Sequence, residues 1–419
     1  METQKSENYA LEQIPDNAKR GWMSMFCVLV AIGVDLSSVI LGAELANSMP
    51  IDKAILSVVV GSFLSAILYT LCSLVGSSTN LSTSMITKHV FGDIGAKIFS
   101  MAIGVSLLGW FGVQVGFFSE NASILFNSFN MSIDIKIISL IGGLLMMSTV
   151  IYGYRAMEKL SVYSVPLLLS LMFLTIFLGF KTNGIPAIDS DIQQTMEFAQ
   201  GVSLVVSIII VGAIISPDIS RWAKSRKDCA LASFFGILFG NSFMIIVSII
   251  LVKCMGISEI MNIFLILGLA LPGMLVLTLA QWTTNSSNIY SSSLSIALVL
   301  KNIPHKKLTI GLGLVGTALA VFGIYEGFIG FLNLLSIVVA PVGGVYVAEY
   351  YIVKAAFENI KEYKETEQVV VRSIIAWIIG IVVTALSTYG FITLTTIAPL
   401  DGFIVGFIGQ VIISKILNK

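Results

Sequence analysis

Apolar residues are grouped along the 419-residue chain into twelve long runs that are separated by short polar segments. Each run is long enough, at about 17 residues or more, for a helix to cross the hydrocarbon core of a membrane. Several runs contain glycine and serine, which membrane helices use for close packing. The pattern predicts twelve spanning helices, numbered 1 to 12 in chain order, near residues 24–48, 53–77, 94–118, 134–153, 160–180, 196–216, 228–252, 268–299, 308–324, 327–350, 371–390 and 398–417.

The positions of lysine and arginine predict how these helices are oriented. If the N-terminus is cytoplasmic, 20 of the 24 basic residues fall on the cytoplasmic side, and the outer side holds Lys53, Lys136, Lys181 and Lys253. Cytoplasmic loops of membrane proteins carry such an excess of positive charge. We therefore expect a multi-pass protein of the cell membrane, with a cytoplasmic N-terminal tail over residues 1–22 and a cytoplasmic C-terminus.

Composition narrows the class of protein further. Hydrophobic residues make up 56% of the chain and charged residues 11%, whereas an ordinary soluble protein carries about 25% charged residues. This excludes a soluble enzyme, a nucleic-acid-binding protein and a disordered chain. The sequence also lacks HExxH, GxSxG and Walker motifs, so we expect neither enzymatic activity nor transport driven by ATP.

The most informative polar residue is Asp35, near the middle of predicted helix 1, in the segment Ala31–Ser38. A buried carboxylate is costly unless it faces a cavity or a partner. The glycine and serines around it predict an interrupted helix, whose freed carbonyl groups bind a cation and whose freed N–H groups bind a polar ligand. The alternative is that Asp35 pairs with another helix for packing. Glu44, further along the same run, is interpreted as a vestibule or structural residue.

Predicted helix 6 has two features that favour a break. Gly212 is a natural break point, and Pro217 lacks the N–H that would continue the helix. Asp218 and Arg221 are three residues apart and can pair on one face. We interpret that pair as a latch or gate, separate from the ligand contacts.

Predicted helices 3 and 8 each present a polar stripe. Trp110 and Gln114 are four residues apart on helix 3, where an indole can stack on a flat ring and an amide can bond to ring groups. On helix 8 the stripe consists of Gln281, Thr284, Asn285 and Asn288. Packing with an interhelical hydrogen bond is the alternative for helix 3.

Two adjacent hydroxyl groups on predicted helix 8 indicate a cation site. Thr283 and Thr284, with the carbonyl group of Ala280, offer three hard oxygen ligands of the kind that suits Na⁺. The alternative is that both hydroxyls bond back to their own helix.

Several short motifs give the chain a family resemblance. They are Thr79-Asn-Leu-Ser-Thr83, Val90-Phe-Gly92, Gly109-Trp-Phe-Gly-Val113, Ser216-Pro-Asp218 with Arg221, Phe239-Gly-Asn-Ser242, Trp282-Thr-Thr-Asn285 and Pro341-Val-Gly-Gly-Val345. In order and spacing, over nearly the whole chain, the sequence resembles the nucleobase–cation symporter-1 family, and within it the bacterial cytosine permeases.

This resemblance implies an all-α membrane fold of the leucine-transporter type. Helices 1–5 (23–182) and 6–10 (195–350) would form two inverted repeats, followed by a cytoplasmic loop and helices 11–12 (351–419). Helices 1 and 6 would be broken, and alternating access would operate on a substrate held between helices 1, 3, 6 and 8.

The resemblance also implies site residues. A sodium site would use the carbonyl groups of Ala31, Val34 and Ala280 and the hydroxyls of Thr283 and Thr284. Substrate contacts would come from Trp110, Asn285 and an unwound segment of helix 6 that contains Ile208, Ile209 and Gly212. Gln114 resembles a glutamine that many relatives carry, and Asn288 belongs to the same polar stripe as Asn285.

Three departures from the cytosine permease pattern change the expected pocket. Ile209 stands where those permeases have a second aromatic wall, Leu107 stands where they have a glutamine, and Asp35 stands where they have a phenylalanine. Since a carboxylate prefers a cation or a strong N–H donor, we expect a substrate with an amino or protonatable group.

The leading hypothesis is a monomeric Na⁺-coupled importer of a nucleobase, cytosine-like, or of a related nitrogenous heterocycle. Its partners would be that small molecule and the lipid bilayer, without nucleic acid. One alternative is a transporter of a small amine or an amino-acid-like cation with Asp35 as counter-ion. Others are symport with H⁺ and an ion or solute channel.

Overall fold

A computed structural model describes residues 12–152, 154–186, 194–355, 357 and 367–417. Over these residues the chain forms helices that are joined by short turns and loops. Residues 1–11 of the expected N-terminal tail and residues 358–366 of the expected cytoplasmic loop lie outside this set. The helices are α1 (Trp22–Gly33), α2 (Leu36–Ser48), α3 (Ile51–Thr79), α4 (Thr83–Ser128), α5 (Ile135–Met147), α6 (Tyr154–Asn183), α7 (Phe198–Ile214), α8 (Pro217–Ser220), α9 (Arg226–Met255), α10 (Ile260–Ile266), α11 (Ala270–Val299), α12 (His305–Val321), α13 (Phe328–Ala348), α14 (Val371–Thr388) and α15 (Ala398–Leu417).

Each of the twelve apolar runs is occupied by helix. Within the described ranges, seven helices are long and apolar enough to cross a membrane, and the bent pair α1 and α2 would make an eighth. The four other runs form helices that are shorter or more polar, α5, α7, α11 and α12. The structure therefore shows a membrane-type helical bundle, and the number of twelve spans stays a prediction.

The first apolar run is divided into α1 and α2, whose axes differ by 52°. Val34 (φ −96°, ψ 82°) and Asp35 (φ −139°, ψ 173°) leave the helical conformation between them. Asp35 is the N-cap of α2, because its side chain accepts a hydrogen bond from the Ser38 N–H. Aspartate is among the residues preferred at this position, so the residue that the sequence singled out also determines where α2 begins.

We expected residues 208–212 of predicted helix 6 to be unwound, and this prediction is wrong. Residues 208–212 are helical, and α7 continues without interruption to Ile214. Ile215 then leaves the helical conformation (φ −91°, ψ 5°), and Pro217 begins α8. A glycine costs a helix only about 1 kcal/mol, whereas a proline removes a backbone donor, so the break falls near Pro217 and not at Gly212.

Close packing of α1 against α9 places the break between α1 and α2 at the centre of the bundle. A Cβ atom on Gly33 would lie 2.7 Å from the backbone nitrogen of Asn241. A Cβ atom on Gly240 would lie 2.9 Å from the carbonyl oxygen of Val30. Two glycines thus allow the two backbones to touch, and they bring Asn241 of α9 next to the end of α1.

The segment that precedes α1 binds across one end of the bundle. The Arg20 N–H donates to the Trp222 carbonyl (2.6 Å), and the Lys224 N–H donates to the Arg20 carbonyl (2.8 Å). The Arg20 side chain also forms an ion pair with Glu158 of α6 (2.9 Å). These contacts join the start of α1 to the α8–α9 connection and to α6.

Candidate functional site

A central cavity of about 50 Å³ lies beside the break between α1 and α2. Its walls come from α1, α2, α3, α4, α7, α9 and α11 and from the connection around α8. Seven of the eight residues predicted to contact substrate line it, namely Asp35, Trp110, Gln114, Ile208, Ile209, Gly212 and Asn288. The structure therefore brings most of the predicted substrate-contact residues to one cavity, although they are far apart along the chain.

Asp35 is buried, with 6% of its surface exposed, and it accepts hydrogen bonds from three neighbours. The Ser38 N–H lies 2.8 Å from Oδ1, the Ser37 hydroxyl lies 2.8 Å from both carboxylate oxygens, and Nε2 of Gln114 lies 2.5 Å from Oδ2. All three partners are donors, as an ionised carboxylate requires. Asp35 thus connects the start of α2 to the middle of α4.

Gln114 and Gln281 extend this connection to α11. Nε2 of Gln281 donates to the Gln114 carbonyl (3.0 Å), and Oε1 of Gln281 accepts from the Leu36 N–H (3.5 Å). The open N-terminus of a helix requires partners for its first N–H groups. At the start of α2 the Leu36 N–H is satisfied by a side chain of α11, and the Ser38 N–H is satisfied by the N-cap Asp35. The side chain of Gln114 is fully buried, and its Oε1 has no hydrogen-bond partner among the described residues.

Trp110 is one of two aromatic residues in the cavity wall, and Tyr69 of α3 is the other. The Trp110 ring packs edge-on against Phe328 (5.9 Å between centroids) and Phe331 (5.5 Å) of α13, which restricts the indole orientation. The contribution of α7 is aliphatic, from Ile208 and Ile209. A flat ligand would therefore stack on one indole, and α7 would supply apolar contact.

The two asparagines of α11 differ in their positions. Asn285 is fully buried and is not among the cavity-lining residues, because its Nδ2 points to the Phe111 carbonyl (3.4 Å) and to Sδ of Met146 (3.2 Å). Asn288 lines the cavity and donates to Oδ1 of Asn285 (3.2 Å). The direct substrate contact that we expected from Asn285 is thus not provided in this arrangement, and Asn288 occupies the lining position.

The five residues predicted to hold Na⁺ are buried, and they lie where α1 ends beside α11. The Thr284 hydroxyl is 3.3 Å from the Ala31 carbonyl oxygen, and the Thr283 hydroxyl is 2.8 Å from the Ala280 carbonyl oxygen. Val34 follows the last residue of α1, where carbonyl groups lack helical partners. Among the described residues there is no cluster of three or more His, Cys, Asp and Glu that could hold a metal ion. The candidate cation site therefore consists of carbonyl and hydroxyl oxygens alone.

Tyr69 and Asn241 are among the lining residues to which the sequence analysis assigned no role. Tyr69 of α3 lines the cavity and is 1% exposed. Asn241 of α9 lines it as well, and its Nδ2 donates to the Ser62 hydroxyl (3.0 Å), while its Oδ1 has no partner among the described residues. An asparagine in the apolar run of α9 was the available signal, since a buried amide needs partners.

Asp218 and Arg221, the residues of the expected latch, lie in α8 and directly after it. The segment before α1 binds at the same end of the bundle, through the backbone of Trp222. The Asp218 carboxylate accepts from the Thr83 N–H (2.8 Å). Arg221 donates to the Tyr290 hydroxyl (2.8 Å) and to the Asp218 carbonyl (3.3 Å). Trp222 also donates to Tyr290 (3.2 Å). This buried network lies next to the cavity, because Ile215 and Ile219 of the same connection line it.

The other end of the bundle contains a wider cavity of about 620 Å³. Glu44, Glu120 and Glu259 line it and are exposed. Glu44 therefore lies in a vestibule, which is one of the two interpretations that the sequence left open. The two ends of the bundle thus differ, with a buried hydrogen-bond network at one and a cavity lined by exposed glutamates at the other.

Comparison with known proteins gives consistent matches over almost the whole chain. The sequence model of permeases for cytosine/purines, uracil, thiamine and allantoin matches residues 13–409. Cytosine permease of Escherichia coli strain K12 is 27% identical over 417 residues, which cover 99% of this chain and 96% of that protein.

Two solved structures show the same fold. Mhp1, a nucleobase-cation-symport-1 family transporter in a closed conformation with bromovinylhydantoin bound, has a TM-score of 0.83 at 14% identity, covering 99% of this chain and 96% of that one. A Na⁺-coupled sialic acid symporter in a substrate-bound outward-open state has a TM-score of 0.73 at 12% identity, covering 98% and 93%.

Proposed function

The chain belongs to the family of permeases for cytosine, purines, uracil, thiamine and allantoin, and from this premise we propose that it imports a nucleobase or a related small nitrogenous heterocycle by symport with Na⁺. As a member of this family it is a membrane transporter and not an enzyme.

The observation that carries the proposal is a buried cavity in which a flat aromatic surface and hydrogen-bonding amides meet at a helix break. Trp110 can stack on a planar ring, while Gln114 and Asn288 can bond to ring nitrogens and to exocyclic groups. Binding pockets combine an apolar wall with a few placed polar groups in this way. A nucleobase-sized heterocycle matches that combination.

Support for Na⁺ comes from the oxygen atoms that α1 and α11 bring together. Ala31, Val34 and Ala280 would contribute carbonyl groups, and Thr283 and Thr284 would contribute hydroxyls. A cation held there would stabilise the contact of α1 with α11, which also shapes the substrate cavity. By linkage, substrate and Na⁺ would then raise each other's affinity, and the inward Na⁺ gradient would drive uptake.

We further propose twelve spans, arranged as two inverted five-helix repeats followed by two helices, in a monomer of the cell membrane with both ends in the cytoplasm. The latch of Asp218, Arg221 and Tyr290 would then be the cytoplasmic gate, and the vestibule of Glu44 would face outward. Alternating access would require the latch to open while the vestibule closes over the substrate.

The test is uptake of labelled cytosine by purified protein in liposomes. We expect an inward Na⁺ gradient to raise the initial rate about tenfold or more over an equal K⁺ gradient, because coupling adds the free energy of the ion gradient. Uptake that ignores Na⁺ but follows an imposed pH gradient would instead identify H⁺ as the coupling ion. Absence of uptake for cytosine, purines and uracil would contradict the proposed substrate class.

A further inference from the structure

We propose that Asp35 is a positioning residue that orients the Gln114 amide, so that the central cavity presents hydrogen-bond acceptors and selects ligands with an N–H donor at that position. The ligand class is a heterocycle with an exocyclic amino group, as opposed to one with an oxo group at the same place. This inference rests on the proposed function, because it concerns the substrate of the same cavity.

The first step is that Asp35 has little capacity left to bind a ligand itself. Its two oxygens already accept from the Ser37 hydroxyl, the Ser38 N–H and Nε2 of Gln114, at distances of 2.5 to 2.8 Å. Two of these donors, on Ser37 and Ser38, belong to the first turn of α2, where a carboxylate is a favourable N-cap. The carboxylate is therefore used within the protein and does not serve as a free counter-ion.

The second step concerns the orientation of Gln114. Nε2 of Gln114 donates to Oδ2 of Asp35 (2.5 Å) and to the Ser37 hydroxyl (3.2 Å), so the amide NH₂ group lies on the side of the carboxyl group. The carbonyl oxygen Oε1 is then the remaining polar atom of a fully buried side chain that lines the cavity. This oxygen has no partner among the described residues. A buried acceptor without a partner is unfavourable, and a ligand N–H would satisfy it.

The third step is that a second amide, on Asn241, is oriented in the same way as that of Gln114. Asn241 is 1% exposed and lines the same cavity from α9. Its NH₂ group donates to Ser62 (3.0 Å), and Oδ1 has no partner in the described part of the chain. Two buried amides from different helices, both in the wall of this cavity, thus use their donors inside the protein and have acceptor oxygens without a partner among the described residues.

These two acceptors determine which ligands fit. A ligand amino group can donate to such an oxygen, whereas a ring carbonyl group at the same place would put two acceptors against each other without a proton between them. Specificity often depends on an unfavourable contact of this kind. Cytosine and uracil are suitable probes, because cytosine carries an amino group at ring position 4, where uracil carries an oxygen.

The experiment measures the affinity of the purified full-length protein for both bases in the presence of Na⁺. The wild-type protein is expected to prefer cytosine by about tenfold or more, as one hydrogen bond gained against one left unpaired implies. The key variant is Asp35→Asn. Its Oδ1 can still cap Ser38, but its NH₂ group would donate to Oε1 of Gln114 and turn that amide over. The preference for cytosine should then fall by about tenfold or reverse.

Two further variants make the outcome decisive. Gln114→Met keeps the volume but removes the acceptor, and it should also reduce the preference for cytosine, even if Asp35→Asn does not fold. Asp52→Asn makes the same chemical change at an exposed position in the first turn of α3 and should leave the preference unchanged.

An unchanged preference for cytosine in Gln114→Met, or an equal loss of both bases in a folded Asp35→Asn protein, would overturn the inference while leaving the proposed function intact. Equal affinity of the wild-type protein for the two bases would do the same. Absence of binding of both bases to the wild-type protein would overturn the proposed function and this inference together.

Discussion

Thr283 and Thr284 are neighbours on α11, yet their hydroxyl groups have different partners. The Thr283 hydroxyl bonds to the carbonyl group of Ala280 on its own helix (2.8 Å), as helix-embedded threonines commonly do. The Thr284 hydroxyl faces the Ala31 carbonyl on α1 (3.3 Å). Loss of the Thr283 hydroxyl would remove a bond within its own helix. Loss of the Thr284 hydroxyl would remove a contact between α1 and α11, and it therefore distinguishes the proposed cation site from ordinary helix packing.

The substitution Thr284→Ala tests this difference. We expect the Na⁺ concentration for half-maximal uptake to rise about tenfold or more, as is typical when one group at a metal site is lost. Substrate affinity at saturating Na⁺ should change much less, because the lost hydroxyl is one oxygen of the proposed cation site. The measurement is uptake into liposomes over a series of Na⁺ concentrations.

A matched control lies on the same helix. Thr278 is half-buried, its hydroxyl bonds to the carbonyl group of Met274 (2.7 Å), and it does not line the central cavity. Thr278→Ala should leave the Na⁺ dependence unchanged. If Thr284→Ala weakened substrate binding and left the Na⁺ dependence as in the wild type, the assignment of the cation site would be wrong.

At the scale of elements, the contact of α1 with α9 determines the shape of the site. Gly33 is the last residue of α1, and its neighbours within 3.1 Å of a Cβ position are backbone atoms of Gly240 and Asn241. Backbone atoms cannot turn away as a flexible side chain can. Any side chain at position 33 would therefore push α9 away from the break and would move Asn241 with it.

Gly33→Ala is accordingly expected to lower the free energy of unfolding by about 1–3 kcal/mol, which is the usual cost of overpacking. The measurement is the thermal unfolding midpoint of the purified protein in detergent. Gly311→Ala is the matched control, since a Cβ atom on that α12 glycine would meet nothing within 4 Å. If both variants unfold at the same temperature, the close contact between α1 and α9 does not contribute as described.

The elements also show how far a local sequence signal extends. The Asp35 region was correctly singled out because aspartate, glycine and serine disturb a helix within their own segment. Gly212 carried the same kind of signal but is helical, since α7 tolerates one glycine and ends only at the residues before Pro217. Helix propensity shows only that a proline disfavours a helix more strongly than a glycine does. Packing decides whether a helix that contains a glycine stays intact.

At the scale of the whole molecule, the two ends of the bundle differ in structure. At one end, the half-buried Arg20 of the segment before α1 bonds to the backbone of Trp222, whose buried side chain donates to Tyr290. At the other, exposed glutamates line a vestibule of about 620 Å³. In the transport cycle that we propose, the first end would be the cytoplasmic gate and the second would face outward.

The orientation that we propose for these ends can be tested by cysteine labelling. Asn302 follows α11 and Met131 follows α4, and both are exposed. A membrane-impermeant maleimide should label Met131→Cys in intact cells, whereas Asn302→Cys should react only after permeabilisation, because basic loops stay in the cytoplasm. The unsubstituted protein, whose native cysteines are buried or half-buried, is the control. The opposite labelling pattern would invert the proposed topology.

The sequence by itself determined the class of this protein, because twelve apolar runs and few charges leave a membrane as the medium in which the chain can fold. It also identified Asp35, Trp110, Gln114 and Thr284, since polar residues inside apolar runs are costly without a function or a partner. The tertiary structure alone decided which atoms face the cavity. Asn285 is turned towards α4 and α5, Asn241 is brought in by α9, and the donors of Gln114 are used by Asp35. Hydrogen-bond polarity depends on partners from distant helices, and the order of residues along one chain does not contain that information.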